Sequence, residues 1–455
     1  MAKYKIFSGD EIKRVKKFLL KGNETSALDV MRSLHPADQA KTFNALDNSS
    51  QDQLLEKLEI SEIADIFDEL DDRQTLDAAK NLPLPFLADI LDDMDPDEAA
   101  DLLGDLSGKK VRRTISYMEE ADEILPLLRY PDETAGGRMT TDFISLSHKL
   151  STDDVIQILR KSTQDPDVPY YLFVVDDQRN LIGVVGLREL LHAEPDQQVR
   201  EYMNPHVVSI QAMQDQEEAA QVMKHYDLPA LPVLNRNGQL LGVISHDDIL
   251  DVVIAESTED IYRLASVSDS ALEPESTIKM QLKGRLPWLL LNTFTALIAS
   301  WVISNFGDLF IKVAVLAFFQ SVVAAQGGNA ASQNVAMIVR SLALGKIQMD
   351  RVWPILIRQL VVGMLVGILI GLIVGVGVGL WQGNPYLGLV LGLALLGNTL
   401  VASIIGTLTP IILQVIGQDP AMAGTVVVTA ITDILGFLIF LSLASLFLPL
   451  ISSYV

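Results

Sequence analysis

The feature that most constrains this chain is a change of solvent partway along it. From Leu286 to the C-terminus only nine residues are charged, five basic and four acidic, and apolar runs dominate. The first 285 residues hold the other thirty basic and fifty-four acidic residues, a net charge of −24. One water-soluble core cannot accommodate both compositions, so an acidic soluble module is joined to a membrane module. Five apolar stretches, roughly 286–304, 312–343, 354–380, 386–416 and 422–451, each reach the ~20 residues that cross a hydrocarbon core.

The start, "MAKYKIFSGDEIKRVKKFLLKGNE", is charged throughout and has no apolar core or cleavage site, so no signal peptide is expected. Lys279, Lys283 and Arg285 precede the first span, and Lys346, Arg351 and Arg358 bracket the second loop. The "WQGNPY" loop is uncharged. By the positive-inside rule this predicts a cell-membrane protein with a cytoplasmic N-terminus, and five spans leave the C-terminus extracytoplasmic. Absence of cysteine excludes disulfides, thiolate metal ligands and thiol nucleophiles. The acidic excess opposes nucleic-acid binding, which needs a basic face, and its natural counter-ligands are cations. There is no metal-binding His cluster, phosphate loop or nucleophile motif to suggest an enzyme.

Residues 1–130 predict an all-α superhelical domain of short amphipathic helices, in which Ile63-Ala-Asp-Ile-Phe recurs as Leu87-Ala-Asp-Ile-Leu before Asp-rich turns. A clearer repeat fills 131–252. "RMTTDFISLSHKLSTDDVIQILR…YYLFVVDDQRNLIGVVGLRELL" returns as "YMNPHVVSIQAMQDQEEAAQVMK…PALPVLNRNGQLLGVISHDDIL". Met139 aligns with Met203, and Leu181-Ile-Gly-Val-Val with Leu241-Gly-Val-Ile at a one-residue offset. Each copy reads strand, helix, strand, turn, strand, helix. The pair resembles tandem CBS domains, α/β regulatory modules that do not catalyse. That resemblance implies a cleft between repeats for a ligand such as ATP or another adenine nucleotide. Tyr171 and Arg188 lie where such a cleft stacks a purine and pairs with phosphate, although an aromatic in a strand also reads as plain core. Residues 253–283 follow, with Val253, Ile261 and Leu264 at helical spacing, and predict a connecting, plug-like helix.

In the membrane domain, 284–455, the third span carries Gly363, Gly367, Gly371, Gly375 and Gly379 on one face, which predicts close helix packing. The second span is interrupted by "QGGNAASQN" and the fourth by "GNTLVAS". Asn329, Gln333 and Asn398 there either bond neighbouring helices or line a polar path with uncharged oxygen dipoles. Asp433, in "TAITDILGF", is different in kind. An ionised Asp at a span centre costs roughly 2.5–3.5 kcal/mol. No basic residue lies inside the spans except near their ends. A proton, cavity water or a passing cation must compensate. Thr429 and Thr425, one and two turns back, extend the same face, which reads as a stripe lining a cation path.

The membrane stretches "LPWLLLNTFTA", "QGGNAASQN", "GQDPAMAG" and "TAITDILGFLIF", the "GNP" loop, the CBS pair, "TEDIYRLA" and the acidic helical domain together resemble the MgtE family of magnesium channels and transporters. Phe319-Gln320 stand where that family usually has Met-Pro, and "AGGRMT" replaces "AGRLMT". The resemblance implies a homodimer that takes up Mg²⁺ past Asp433 and is gated by Mg²⁺ on its acidic domains. Its regulatory ligands fall on Asp92 and Asp95, on Asp227, Asp248 and Asp251, and on Glu256, Glu259 and Asp260, with Asp93 and Asp247 as adjacent alternatives. Mg²⁺ is hard and keeps its waters, which suits a few oxygens around a largely hydrated ion. A proton- or Na⁺-coupled transporter, and a membrane-tethered nucleotide sensor, are the alternatives.

Overall fold

The computed structural model describes residues 9–161, 171–268, 272, 274, 276–347 and 351–454, apart from the side chains of 423 and 425. It divides into two compact units, Met1–Val253 and Ile254–Val455.

The first unit opens with short helices α1–α10, from Asp10–Leu20 to Ala121–Ile124. Polar caps and prolines start them. Asn23 and Asp47 accept from Ser26 N and Ser50 N, Glu59 and Glu62 form a capping box, and Pro96 opens α8 (Pro96–Asp105). The two copies of the Ala-Asp-Ile motif occupy α5 (Ile60–Asp68) and α7 (Leu84–Leu91). Ile63, Ile66 and Phe67 and their counterparts Leu87, Ile90 and Leu91 are buried in one core. Each helix is too short to be stable alone, so burial of this face holds it.

The second repeat folds into two sheets of identical topology. Strands β1 (Ser145–Ser147), β2 (Tyr171–Val175) and β3 (Leu181–Gly186) form one, and β4 (Ile210–Gln211), β5 (Ala230–Leu234) and β6 (Leu240–Ser245) the other. In each the first pair is parallel and the second antiparallel, with a register shift at Val174/Val175 or Val233/Leu234. Helices α11 (Thr152–Lys161), α12 (Leu187–His192), α13 (Val199–Tyr202) and α14 (Gln216–Tyr226) flank them. The repeats exchange their lead-in segments. Thr140 N donates to Val243 O at 2.9 Å and Asn204 N to Val184 O at 2.9 Å, each returned at 3.0 Å. A Cβ on Gly183 would lie 2.6 Å from Met203 Sδ, and one on Gly242 2.7 Å from Met139 Sδ. Glycine is therefore needed at both positions for the methionines to seat. This equivalence matches Leu181 with Leu240, and the one-residue offset read from the sequence disappears.

The connecting helix differs from the one expected over 253–283. Helix α15 begins at His246, where Ser245 and Asp248 cap each other, and ends at Leu264. Ser266 has φ 59°, a left-handed turn that stops it, and Thr277 caps a new helix from Ile278 by accepting from Met280 N.

In the second unit follow α16 (Ile278–Ser304), α17 (Gly307–Lys312), α18 (Leu316–Ala343), α19 (Val352–Trp381), α20 (Pro385–Val415), α21 (Thr425–Leu446) and α22 (Leu448–Ser452). Among the described residues four helices are long and apolar enough to cross a membrane: α16, α19, α20 and Val426–Leu446 of α21. The remaining expected span is α18, 28 residues long, whose amides and glycines lower its apolarity. It runs unbroken through Phe319-Gln320, with Phe319 buried edge-on to Trp381. The glycine face of α19 meets α20 backbone to backbone. A Cβ on Gly371 would fall 2.6 Å from Gly392 O, and one on Gly375 2.7 Å from Gly388 O.

Candidate ion site and regulatory carboxylates

Asp433 lies midway along α21, half-buried, with Oδ1 fully enclosed and without a hydrogen-bond partner among the described residues. The next residue back, Thr432, is wholly buried and spends its hydroxyl on Thr429 O at 3.0 Å. Opposite stands the double glycine of α18. A Cβ on Gly328 would come within 3.2 Å of Thr429 Cγ2. One on Gly327 would fall 2.1 Å from Asn398 Nδ2. On α21, Gly436, one turn beyond Asp433, gives the same result: its Cβ would lie 2.5 Å from Asn398 Nδ2. The Asn398 amide is thus wedged between two glycines of two helices. It is fully buried, donates to Val323 O at 2.8 Å, and leaves Oδ1 without a partner among the described residues.

The polar candidates of the membrane half therefore separate. Asn398 ties α20 to α18 and α21 behind Asp433. Asn329 and Gln333 are exposed, one turn apart on a single face of α18. Thr429 is half-buried beside Gly328, and the side chain of Thr425 lies outside the described set. Gly327 and Gly328, expected from the sequence to interrupt the second span, instead let Asn398 and Thr429 approach an unbroken α18; Gly436 was not singled out, and the spacing Asp433-Ile-Leu-Gly436 was the available signal.

The acids of the first unit do several jobs. Asp92 caps α7 and accepts from Glu119 N at 2.8 Å and Glu120 N at 3.1 Å, which binds it into the helical domain. Asp95 opens α8 and is exposed. Dehydration by the surrounding protein, then the charges of Asp248, Asp142, Asp65 and Asp247, hold its carboxyl above the usual range. Burial likewise raises Asp248, which also accepts from Ser245 N at 3.2 Å. Asp95 and Asp248 are thus brought into one field. Asp227, in the left-handed cap of α14, and Asp251 are exposed. Among the described residues no three His, Cys, Asp or Glu side chains stand close enough together to hold an ion without moving.

Three acids that the sequence hid in an Asp-rich surface are the most perturbed. Burial pushes Asp68 up to about 9 and Glu98 to about 10, with neighbouring carboxylates adding to both. Asp101 rises to about 7 despite its 3.1 Å pair with Arg138, which also donates to Gln216 Oε1. In the second unit Glu256, Glu259 and Asp260 are half-buried on the last turns of α15. Burial, then Asp419 and Glu256, push Asp260 up to about 6.

Tyr171 starts β2 opposite Gly186, two residues before Arg188, so the sheet brings both to one end. Tyr171 packs against the core shared by Phe173, Ala230 and Val243 of both repeats, and Arg188 is exposed.

Comparison with known proteins agrees with this architecture. The family model MgtE, described as a divalent cation transporter, matches residues 320–443. The MgtE intracellular N domain matches 34–133, and the CBS domain matches 135–196 and 199–255. The magnesium transporter MgtE of Thermus thermophilus is 33% identical over 328 residues, covering 72% of each chain. That of Bacillus subtilis is 30% identical over 421 residues, 92% of this chain and 93% of its own. Among solved structures, the soluble part of a magnesium transporter is 31% identical with a TM-score of 0.51, covering 55% of this chain and 99% of that one. The cytosolic domain of the Mg²⁺ channel MgtE in complex with ATP is 30% identical with a TM-score of 0.50, covering 53% and 99%. With relatives at this identity matched over nearly three quarters of their length or more, the chain belongs to the MgtE family of divalent cation transporters.

Proposed function

We propose that this chain is a Mg²⁺ channel whose conducting path passes Asp433 and whose acidic domains close it when they bind Mg²⁺. The observation that carries the reading is the Asp433 carboxylate: it lies in an otherwise uncharged helix, with one oxygen enclosed and unbonded among the described residues. Such a group is expensive in a membrane unless a cation or water reaches it. Family membership makes the cargo Mg²⁺ and the activity transport rather than catalysis.

One carboxylate per chain is too few for an octahedral ion, and a largely hydrated Mg²⁺ shared by two copies meets that need. The exposed Asn329–Gln333 face of α18 supports a homodimer, because bare amides in lipid are unfavourable and a second copy or pore water would satisfy them. In this reading α16, α18, α19, α20 and α21 are five spans embedded in lipid, residues 1–130 and 131–252 are cytoplasmic helical and CBS domains, and the C-terminus is extracytoplasmic. Residues 253–283 carry the movement of those domains to the membrane domain, 284–455.

Asp92, Asp95, Asp227, Asp248, Asp251, Glu256, Glu259 and Asp260 are the regulatory Mg²⁺ ligands of this proposal. The raised carboxyls of Asp95, Asp248 and Asp260 support it: burial is the largest cause and neighbouring carboxylates add to it, and a bridging divalent ion would offset both costs. ATP at Tyr171 and Arg188 is the corresponding proposal for the CBS pair, supported by the ATP-bound relative.

The test is flux into liposomes carrying a Mg²⁺ dye, with the membrane potential clamped and proton and Na⁺ gradients collapsed. Influx should persist, and should fall as Mg²⁺ rises on the side of the acidic domains. Flux that vanishes with the proton or Na⁺ gradient would replace the channel by a coupled transporter, and no flux in any condition would refute transport.

A further inference from the structure

We infer that Arg263 is a built-in counter-ion that docks the end of α15 on the junction between α20 and α21 without metal, and so sets how much Mg²⁺ closure requires. The inference rests on the gating proposed above and adds a metal-independent share to it.

Arg263 lies in the last turn of α15, where a cation also complements the helix dipole. Its guanidinium pairs with Glu259 one turn earlier and with Asp419 of the α20–α21 junction. Asp419 uses its two oxygens differently. Oδ1 accepts from Ala421 N at 2.8 Å and caps the turn Pro420–Ala423, while Oδ2 holds Arg263. The side chains of Arg263, Glu259 and Asp419 keep only 34%, 25% and 25% of their exposure, so water screens them less than it would a surface pair.

Backbone contacts confirm that the helix end is seated. A Cβ on Gly424 would lie 2.9 Å from Arg263 O, so the junction approaches the carbonyl end of α15 directly. Leu264 packs against the cluster of Val335, Ala402, Ala421 and Val428. Just beyond, Ser268 N donates to Gly284 O at 3.0 Å and Trp288 Nε1 to Ser268 Oγ at 2.7 Å, tying the following loop to α16.

The charge balance gives the consequence. Docking brings Glu256, Glu259 and Asp260 of α15 towards Asp419, and Arg263 and Arg340 are the cations acting on Asp260 in that neighbourhood. A neutral side chain at 263 leaves like charges facing one another in the docked state and separated in the undocked one. Mg²⁺ can make good that deficit, but at a higher concentration.

A cysteine-free chain allows a direct test. Ser266 is 8% exposed, with its hydroxyl 3.2 Å from the Cβ position of Gly424, so Ser266→Cys in the full chain reports undocking by maleimide labelling. Adding Arg263→Gln should speed labelling in chelator about tenfold, equivalent to ~1.4 kcal/mol. It should also raise the Mg²⁺ needed for half-protection, with protection complete at saturating Mg²⁺. Arg263→Lys should keep most of the protection in chelator. Asp419→Asn, which can still accept from Ala421 N, should add little once Arg263 is neutral. Unchanged labelling in chelator, a half-protection point moved to lower Mg²⁺, or protection lost even at saturating Mg²⁺ would each overturn the inference. If labelling of the Ser266→Cys parent ignores Mg²⁺, the gating reading fails instead, and the chelator comparison still decides the role of Arg263.

Discussion

Replacing Gly327 by alanine tests whether the three-helix junction behind Asp433 is as tight as its geometry indicates. The new methyl would lie 2.1 Å from Asn398 Nδ2 and 2.7 Å from its Cγ. The contact must open by about 1 Å or more to reach van der Waals separation. Asn398 has nowhere to retreat, because Gly436 of α21 closes on its other side and its Nδ2 already donates to Val323 O at 2.8 Å. Overpacking of a filled core costs about 1–3 kcal/mol. Stranding a buried amide adds roughly 1–3 kcal/mol. For a module of this size the sum of about 2–6 kcal/mol corresponds to a thermal midpoint lower by about 4–24 °C. Gly377→Ala is the matched control: it lies in α19, and its Cβ would meet nothing within 4 Å. Purified variants in one detergent, followed by tryptophan fluorescence on heating, give the comparison. Asn398→Ala should itself destabilise, yet should relieve much of the Gly327→Ala penalty in the double variant. Equal midpoints for the two glycine variants, or additive effects of Gly327→Ala and Asn398→Ala, would refute the wedge.

Two further outcomes concern the first unit. Asp68, Glu98 and Asp101 have folded values of about 9, 10 and 7, above the ordinary carboxylate range. The folded state therefore holds more protons than the unfolded one from the ordinary carboxylate range up to these values, and stability declines as pH rises through that window. In chelator, amide exchange in α5 and α8 of the full chain should accelerate from pH 6 to 9 beyond the intrinsic rate. Glu98→Gln should flatten that trend; an unaltered slope would show that Glu98 is ionised when folded. At the CBS pair, Arg188→Ala should weaken ATP binding by about tenfold, the loss of one charged hydrogen bond, and equal affinity by calorimetry would remove Arg188 from the site.

Much of the architecture was legible because repetition and solvent preference are written in local pattern. The paired Met139 and Met203, and the alternating apolar runs after them, announced two equivalent sheets. The exchange of Thr140 and Asn204 between those sheets was not visible, since a single backbone pair leaves no side-chain signature. Asp433 stood out by its isolation. Asn398 did not reveal its role, because an amide reads the same whether it faces water or a glycine, and the deciding glycines are on other helices. The connecting helix was read too long because the helical spacing of Val253, Ile261 and Leu264 was extended beyond its last member, whereas the left-handed Ser266 that ends the helix is a conformational fact. Asp68 and Glu98 were passed over for a related reason: an acid in an Asp-rich turn looks solvated until the fold covers it.

The carboxylate of α21 decides whether ions pass through this part of the membrane domain. Asp433→Asn keeps its size and removes its charge, Asp433→Ala removes both, and Asp308→Asn alters an exposed acid at the edge of the same unit as a control. The direct measurement is Mg²⁺ influx into liposomes holding equal amounts of each folded variant, with low Mg²⁺ on the side of the acidic domains. Loss of a cation's charged ligand predicts influx reduced by about tenfold or more for both Asp433 variants, with Asp308→Asn unaffected. Influx at the parent rate through Asp433→Asn and Asp433→Ala would contradict an ion path past this residue.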